Sequence, residues 1–435
     1  MKFDLERDSI NRLLFNFSFP AVTGMLISAL YVIIDGIFIG KGMGGRGLAA
    51  INIAYPVITL GVALSLMFGV GGATVISVLQ GEGKKEEAGR YLTHLIVLNI
   101  ISYAIITTGV VFNYRYIIEL LGSSEGLFEM VRDYLLTGVI FNIFFMLSVS
   151  LNAVVRNDKA PTYAMFSMAL GAVTNIFLDW LFIFQLDMGM KGAALATGIA
   201  QGVSFIYLAG HFFRRKCSIR PAITPIRMSC ILRIMNNGFP SFILEFAVAV
   251  VSISFNNVLM DYLGEIGVSA FSIIAYIFYI FRMIFSGLAQ GIQPIVSYNF
   301  GAKKWVRVKA TLIQGHKIAF ITALLIIVGV YFKGEWMVEL FNGDDELIKI
   351  ASRGLLLYSS AMIFLGANFI NISYLQSMER SLVANLLSLV RSMVFVVIGL
   401  VSLPKLIGVD GIWLSLPFAD FMTFGIGWVI SKRSK

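Results

Sequence analysis

Twelve apolar runs of about 20 residues, separated by short charged or Gly/Pro-rich stretches, divide the whole chain. Each run is long enough to cross a bilayer, and in hydrocarbon a helix is the one single-segment structure that satisfies its own backbone N–H and C=O groups. The runs fall near 13–39, 48–79, 91–114, 134–155, 160–184 and 192–213, then near 235–260, 267–299, 318–332, 354–374, 381–403 and 411–431. An all-α polytopic membrane protein with twelve transmembrane helices is the expected fold class. The second and eighth runs exceed one crossing, so their inner ends are expected to project beyond the membrane. Composition agrees, because only 14% of residues are charged, against about 25% in soluble domains.

The net charge of +9 does not point to nucleic acid, since the basic residues sit in short loops between apolar runs. With the N-terminus inside, 22 of the 34 Lys and Arg residues fall on the same side, from Lys2, Arg7 and Arg12 through Lys216 to Lys432, Arg433 and Lys435. The positive-inside rule therefore predicts cytoplasmic termini and a multi-pass protein of the cell (inner or cytoplasmic) membrane. The N-terminal segment lacks a small-residue cleavage site, so the first helix is expected to be retained. Cys217 and Cys230 match no metal spacing and read as free thiols. His94, His211 and His316 lie near loop boundaries and read as interfacial polar residues.

The two halves repeat one another. At a constant offset of 220, Asn16, Phe19, Pro20, Gly44, Gly47, Ala50, Gly71, Ser77 and Gly81 match Asn236, Phe239, Pro240, Gly264, Gly267, Ala270, Gly291, Ser297 and Gly301. With the offset slipped to 219, Lys84, Lys85, Gly189 and Gly192 match Lys303, Lys304, Gly408 and Gly411. The expected division is an N-terminal six-helix bundle over 1–213, a basic cytoplasmic linker over 214–234 and a C-terminal bundle over 235–435. Six spans per half insert both halves the same way up, in two pseudo-symmetric six-helix bundles. A substrate path between two such bundles suits a transporter better than a channel. Pro20, which cannot complete the hydrogen-bond ladder, is the expected bending point of span 1.

Asp35 is the only charged residue between Leu13 and Ile39. A carboxylate inside a membrane span has either a partner or a function. Counted at about 1.5 Å per residue, Asp35 late in span 1, Asp179 late in span 5 and Thr197 early in span 6 share a depth. Asn175 precedes Asp179 by one helical turn and lies on its face. No Lys or Arg occurs in the six spans of this half. Two close carboxylates in low dielectric then need a proton or a cation between them, and all-oxygen ligation suits a hard monovalent cation such as Na⁺. The competing reading is that each acid reaches the outer interface from a helix end.

The second half carries Glu245, Arg282, Arg391 and Asp420 within its spans. Two acids and two bases at one level are expected to pair as a brace; the alternative is a substrate-binding role for Glu245, Arg282 and Asp420, with Glu245 reading a cationic substrate. No phosphate-binding glycine motif, nucleophile elbow or metal signature occurs, so neither an ATP-driven pump nor an enzyme is expected, nor any cofactor beyond a coupling ion.

Several stretches together resemble the multidrug and toxic compound extrusion (MATE) family of secondary transporters, in its prokaryotic branch. They are Phe19-Pro20, Asp35-Gly36 to Gly40 leading to Gly44 and Gly47, Gly81-Glu82-Gly83, the segment from Asn175 to Asp179 with Gly189, Gly192 and Thr197, and Asn299 to Lys303. The likeness covers roughly 13–430. It implies a V-shaped pair of six-helix bundles that export cationic amphiphilic small molecules in exchange for H⁺ or Na⁺. On that pattern Asp35, Asn175, Asp179 and Thr197 match the cation or proton site. Glu245 matches an acid found in one branch, which also places a carboxylate in span 10; residues 354–374 contain none. The implied protein acts as a monomer on small molecules, in contact with membrane lipid and without nucleic acid. The alternative is a flippase or exporter of a lipid-linked or endogenous metabolite cargo. A scaffold or receptor would need a sizeable soluble domain, which the sequence lacks.

Overall fold

The computed structural model describes residues 3–215 and 217–433, and the described chain is almost entirely helical. Lys2, Lys216 and Lys435, counted above among the bases of one side, lie outside the described residues. The elements are α1 (Ile10–Gly81), α2 (Lys85–Leu120), α3 (Glu125–Asn157), α4 (Pro161–Asp179), α5 (Gly189–His211), α6 (Met228–Leu263), α7 (Glu265–Gly301), α8 (Trp305–Glu339), α9 (Asp345–Ser359), α10 (Met362–Ser377), α11 (Ser381–Leu389), α12 (Phe395–Ile407) and α13 (Val409–Arg433). A π-helical turn continues α4 over Trp180–Gln185, and another joins α11 to α12 over Val390–Val394.

Twelve transmembrane helices result. α1 is two limbs meeting at Gly44, whose φ of 65° and ψ of −161° are non-helical. The pair α9 and α10 is bent by 45° and makes one broken span. α11 and α12 make another through their π turn. By length and apolarity alone, nine helices among the described residues could cross a membrane, or ten with the bent pair. That number counts α1 once, and α13 completes the set. Pro20, the expected bending point of span 1, lies within the first limb; the non-helical residue, Gly44, falls after that span, where the two limbs meet.

Two compact units form, and their limits differ from the expected division at 214–234. Unit 1 takes Met1–Glu6, Thr23–Phe242 and Ser297–Lys303; unit 2 takes Arg7–Val22, Ile243–Val296 and Lys304–Lys435. At the repeat offset of 220, the borrowed stretch 7–22 corresponds to 227–242. Each unit therefore contains the opening of the first helix of the other half. Small residues permit the approach. Inside unit 1, a Cβ on Gly238 would run into the Met67 carbonyl, and one on Gly71 into the Ile234 carbonyl. Inside unit 2, a Cβ on Gly291, the repeat partner of Gly71, would run into the backbone of Ser18, the repeat partner of Gly238.

Unit 1 has two apolar cores. One joins Phe68, Ile76, Leu92, Leu95 and Val154 to Ile234. The other gathers Ile39, Val131, Leu135, Ile183 and Ala193 and surrounds the part of the unit that holds Asp35 and Asp179 in sequence. Outward faces stay apolar: Phe112, Ile206, Leu325 and Phe332 are each more than 65% exposed. In a spanning helix that surface faces lipid, where it costs nothing to leave uncovered.

Candidate functional site

Asp35 lies on the first limb of α1 and Asp179 is the last residue of α4, immediately before the π turn. Turns of that kind widen the helix and often occur beside functional side chains. Asp179 is fully buried and Asn175, one turn earlier, is 1% exposed. The Asp35 and Asp179 carboxyl groups lie within electrostatic range of one another. Asn175 Nδ2 donates to Thr197 Oγ1 on α5 at 3.2 Å, so all four predicted residues converge within unit 1.

Four oxygens of this set lack donors. Asp35 Oδ1, both carboxylate oxygens of Asp179 and Asn175 Oδ1 are buried and accept no hydrogen bond. Among the described residues no Lys or Arg pairs with either acid. Two facing carboxyl groups and an amide oxygen form an oxygen-rich, base-free niche. Its chemistry fits a shared proton or a hard monovalent cation, since either would supply the positive charge that the side chains do not. Tyr134 on α3 is buried within electrostatic range of both acids. Sequence reasoning missed it, because a neutral tyrosine in an apolar run carries no charge signal.

One buried base does occur in this half. α3 extends beyond the expected span 134–155 and carries Arg156 with it, 3% exposed, its Nη1 donating to Asn152 Oδ1 at 3.2 Å. Twenty-two residues separate it from Tyr134, about 33 Å along the helix. At that far end Asp158 accepts from Gln80 Nε2 at 3.0 Å, from the Ser218 backbone N–H at 3.2 Å and from the Ser218 hydroxyl, and it contacts His211 Nε2 at 2.8 Å. His211 and His94, read as interfacial polar residues, are 4% and 2% exposed and belong to buried hydrogen-bond networks. Cys217 donates to the Ile219 carbonyl at 2.7 Å, and burial beside Asp158 pushes its thiol up to about 12. Asp158, His211 and Cys217 present ligand atoms within 4.8 Å of one another, but Asp158 is already saturated with protein donors.

In unit 2 both expected pairs form. Arg391 Nε and Nη2 reach Asp420 Oδ1 and Oδ2 at 2.6 and 3.5 Å, and Asn368 Nδ2 donates to the same Oδ1 at 2.9 Å. The guanidinium also lies over the Phe369 ring, 5.1 Å from its centre. Arg282 Nη2 is 3.9 Å from Glu245 Oε2, a looser contact. A cavity of about 130 Å³ is lined by Arg282, Arg391, Tyr279 and Tyr358, whereas Glu245 and Asp420 do not line it.

A MatE family profile matches residues 20–181 and again 240–401. The chain belongs to the MATE family. Its double match coincides with the internal repeat. Multidrug export protein MepA of Staphylococcus saprophyticus is 26% identical over 421 residues, covering 95% of this chain and 92% of that protein. MepA of Staphylococcus aureus strain MSSA476 is 24% identical over 418 residues, again covering 95% and 92%. Among solved structures, a multidrug resistance MATE transporter in an outward-facing conformation superposes with a TM-score of 0.93 at 21% identity, covering 99% of this chain and 97% of that one. A MOP superfamily transporter from Pyrococcus furiosus gives 0.92 at 21% identity with the same coverage; for it, a reversed polarity of the binding pocket has been described as suggesting a different function. MATE membership makes the chain a membrane transporter.

Proposed function

We propose that this MATE transporter exports small cationic amphiphilic compounds, in exchange for H⁺ or Na⁺ taken up at Asp35, Asp179, Asn175 and Thr197. The observation that carries the reading is that three of the four carboxylate oxygens of Asp35 and Asp179 are buried without a donor, in a niche without a base. Loading by a proton or cation removes the repulsion between the acids and so changes how α1 packs on α4. That change favours the state that releases drug outward, and unloading toward the cytoplasm resets the site. The gradient is adequate, because each charge moved inward yields about 2.3 kcal/mol per 100 mV before any concentration term. The reading places both termini in the cytoplasm, the lobes at 1–213 and 235–435, and a monomer in the cell membrane. The names of the MepA relatives support multidrug cargo.

The deciding experiment is efflux of a fluorescent cationic dye from everted vesicles under an imposed pH gradient and, separately, an imposed Na⁺ gradient. Asp35→Asn is expected to lower gradient-driven efflux at least tenfold at normal expression; wild-type rates would reject the coupling site. The gradient that drives wild-type efflux identifies the ion.

A second reading, export of an anionic lipid-linked or metabolite cargo, draws on the two arginines that line the unit 2 cavity. Both are matched by acids, which favours the brace. The same vesicles separate the readings: an anionic amphiphile that competes with the dye in wild type but not in Arg282→Ala supports anionic cargo.

A further inference from the structure

A second cavity, of about 620 Å³, opens in unit 1 at the start of α2, far in sequence from Asp35 and Asp179. Four of its lining residues are basic (Lys84, Lys85, Arg90 and Arg227) and two are acidic (Glu86 and Glu87). Glu86 is bound to Arg90 at 2.7 Å, and Lys84 holds Glu82 outside the cavity at 2.7 Å. Among the described residues, Lys85 and Arg227 have no acidic partner. No side chain caps α2; the Lys85 N–H is held by the Gly83 carbonyl at 3.2 Å, and the N–H groups of Glu86 and Glu87 that follow it add to the positive potential here.

The connector that brings Arg227 is held in place. His94, 2% exposed, donates from Nδ1 to the Arg90 carbonyl at 2.8 Å and accepts the Arg227 backbone N–H on Nε2 at 3.0 Å. Thr93 Oγ1 donates to the Ala222 carbonyl at 2.8 Å and accepts from the Ala222 N–H at 3.1 Å. Gly89 admits the Arg220 carbonyl where a side chain would block it. Between these anchors Ile223 is fully exposed and Ile226 is 59% exposed, and Met228, just past the last of them, is 65% exposed. Bare aliphatic side chains beside these cations, at the end of a membrane span, match the boundary between headgroups and acyl chains.

We propose that this cavity binds the phosphate of an anionic phospholipid headgroup, with Lys85, Arg227 and the start of α2 on its oxygens and Ile223, Ile226 and Met228 in the acyl boundary. A soluble phosphate shares the polar chemistry but gains nothing from the aliphatic residues. Cationic pockets between spans on the cytoplasmic side are suited to such headgroups, at about fivefold in affinity per Lys or Arg.

Full-length protein in detergent is titrated with phosphatidylglycerol, with phosphatidylcholine and with glycerol 3-phosphate. Lys85→Gln/Arg227→Gln is compared with Lys333→Gln/Lys349→Gln, which removes the same charge from exposed positions outside the cavity. Phosphatidylglycerol affinity is expected to fall at least tenfold in the cavity variant only. Phosphatidylcholine should bind weakly to all, and Ile226→Ser should weaken lipid but not glycerol 3-phosphate. Equal losses in both charge variants would reduce the effect to bulk attraction and overturn the proposal. Glycerol 3-phosphate binding wild type as tightly as the lipid would overturn the lipid source. Should the double variant not fold, Arg227→Gln alone is held to the same outcomes, with about a fivefold loss.

Discussion

Asp35 was legible because a single acid stood in an apolar run, and its partner Asp179 because both counted to one depth. Tyr134 was not, since only tertiary packing brings a neutral side chain from α3 to the pair. Arg156 fell just outside the expected span 134–155, and α3 in fact runs on and buries it. In unit 2 the pairing of opposite charges was expected, but not its inequality. The Arg391–Asp420 side chains are 9% and 0% exposed, whereas those of Arg282 and Glu245 are 16% and 22% exposed and only 3.9 Å apart; a further, exposed pair joins Arg353 to Asp410, at 70% and 32%. Removing one member of a buried pair strands the other charge. Asp420→Asn should therefore lower unfolding stability in detergent by about 3–5 kcal/mol. Arg353→Gln should leave that stability almost unchanged, because solvent already screens the contact. Comparable thermal shifts for the two variants would refute the brace.

Helix existence was readable from the apolar runs, and helix interruptions were not. The spacing of apolar residues is the same on either side of a π turn, so neither Trp180–Gln185 nor Val390–Val394 left a pattern. Gly44 and Gly264 appeared as repeat matches, with no sign of their conformation; both prove to have φ of 65°. The conformation of Gly44, with ψ of −161°, is open essentially to glycine alone. A Cβ there meets no atom within 4 Å, whereas one on Gly238 strikes the Met67 carbonyl. Two glycine-to-alanine changes thus probe different physics. Gly44→Ala is expected to cost about 1–3 kcal/mol through backbone strain alone. Gly238→Ala must push α6 away from α1 and should cost more, with altered proteolysis of both helices. Equal cost and unchanged proteolysis would show that the close approach is unimportant.

The twofold repeat was the most complete reading of the sequence at the scale of the molecule, and both the double family match and the paired turns follow it. What it could not disclose is which half a segment serves, because equivalent residues are interchangeable in any comparison of sequence alone. Unit 1 includes 228–242 and 297–303. Gly81 at the end of α1 lies against the Tyr298 carbonyl, and Asn299 Nδ2 donates to the Leu5 carbonyl at 3.0 Å. A chain ended after Phe213 should consequently be cut by protease at the 81–85 turn faster than one ended after Lys303, in membranes where both are inserted. Equal cutting would mean that unit 1 closes without its borrowed parts. Borrowing also sets a clock on biogenesis. Ninety residues separate Phe213 from Lys303. At the usual pace of synthesis, the first six spans must wait in the bilayer for roughly 5 to 20 s before the last strip of their own unit leaves the ribosome.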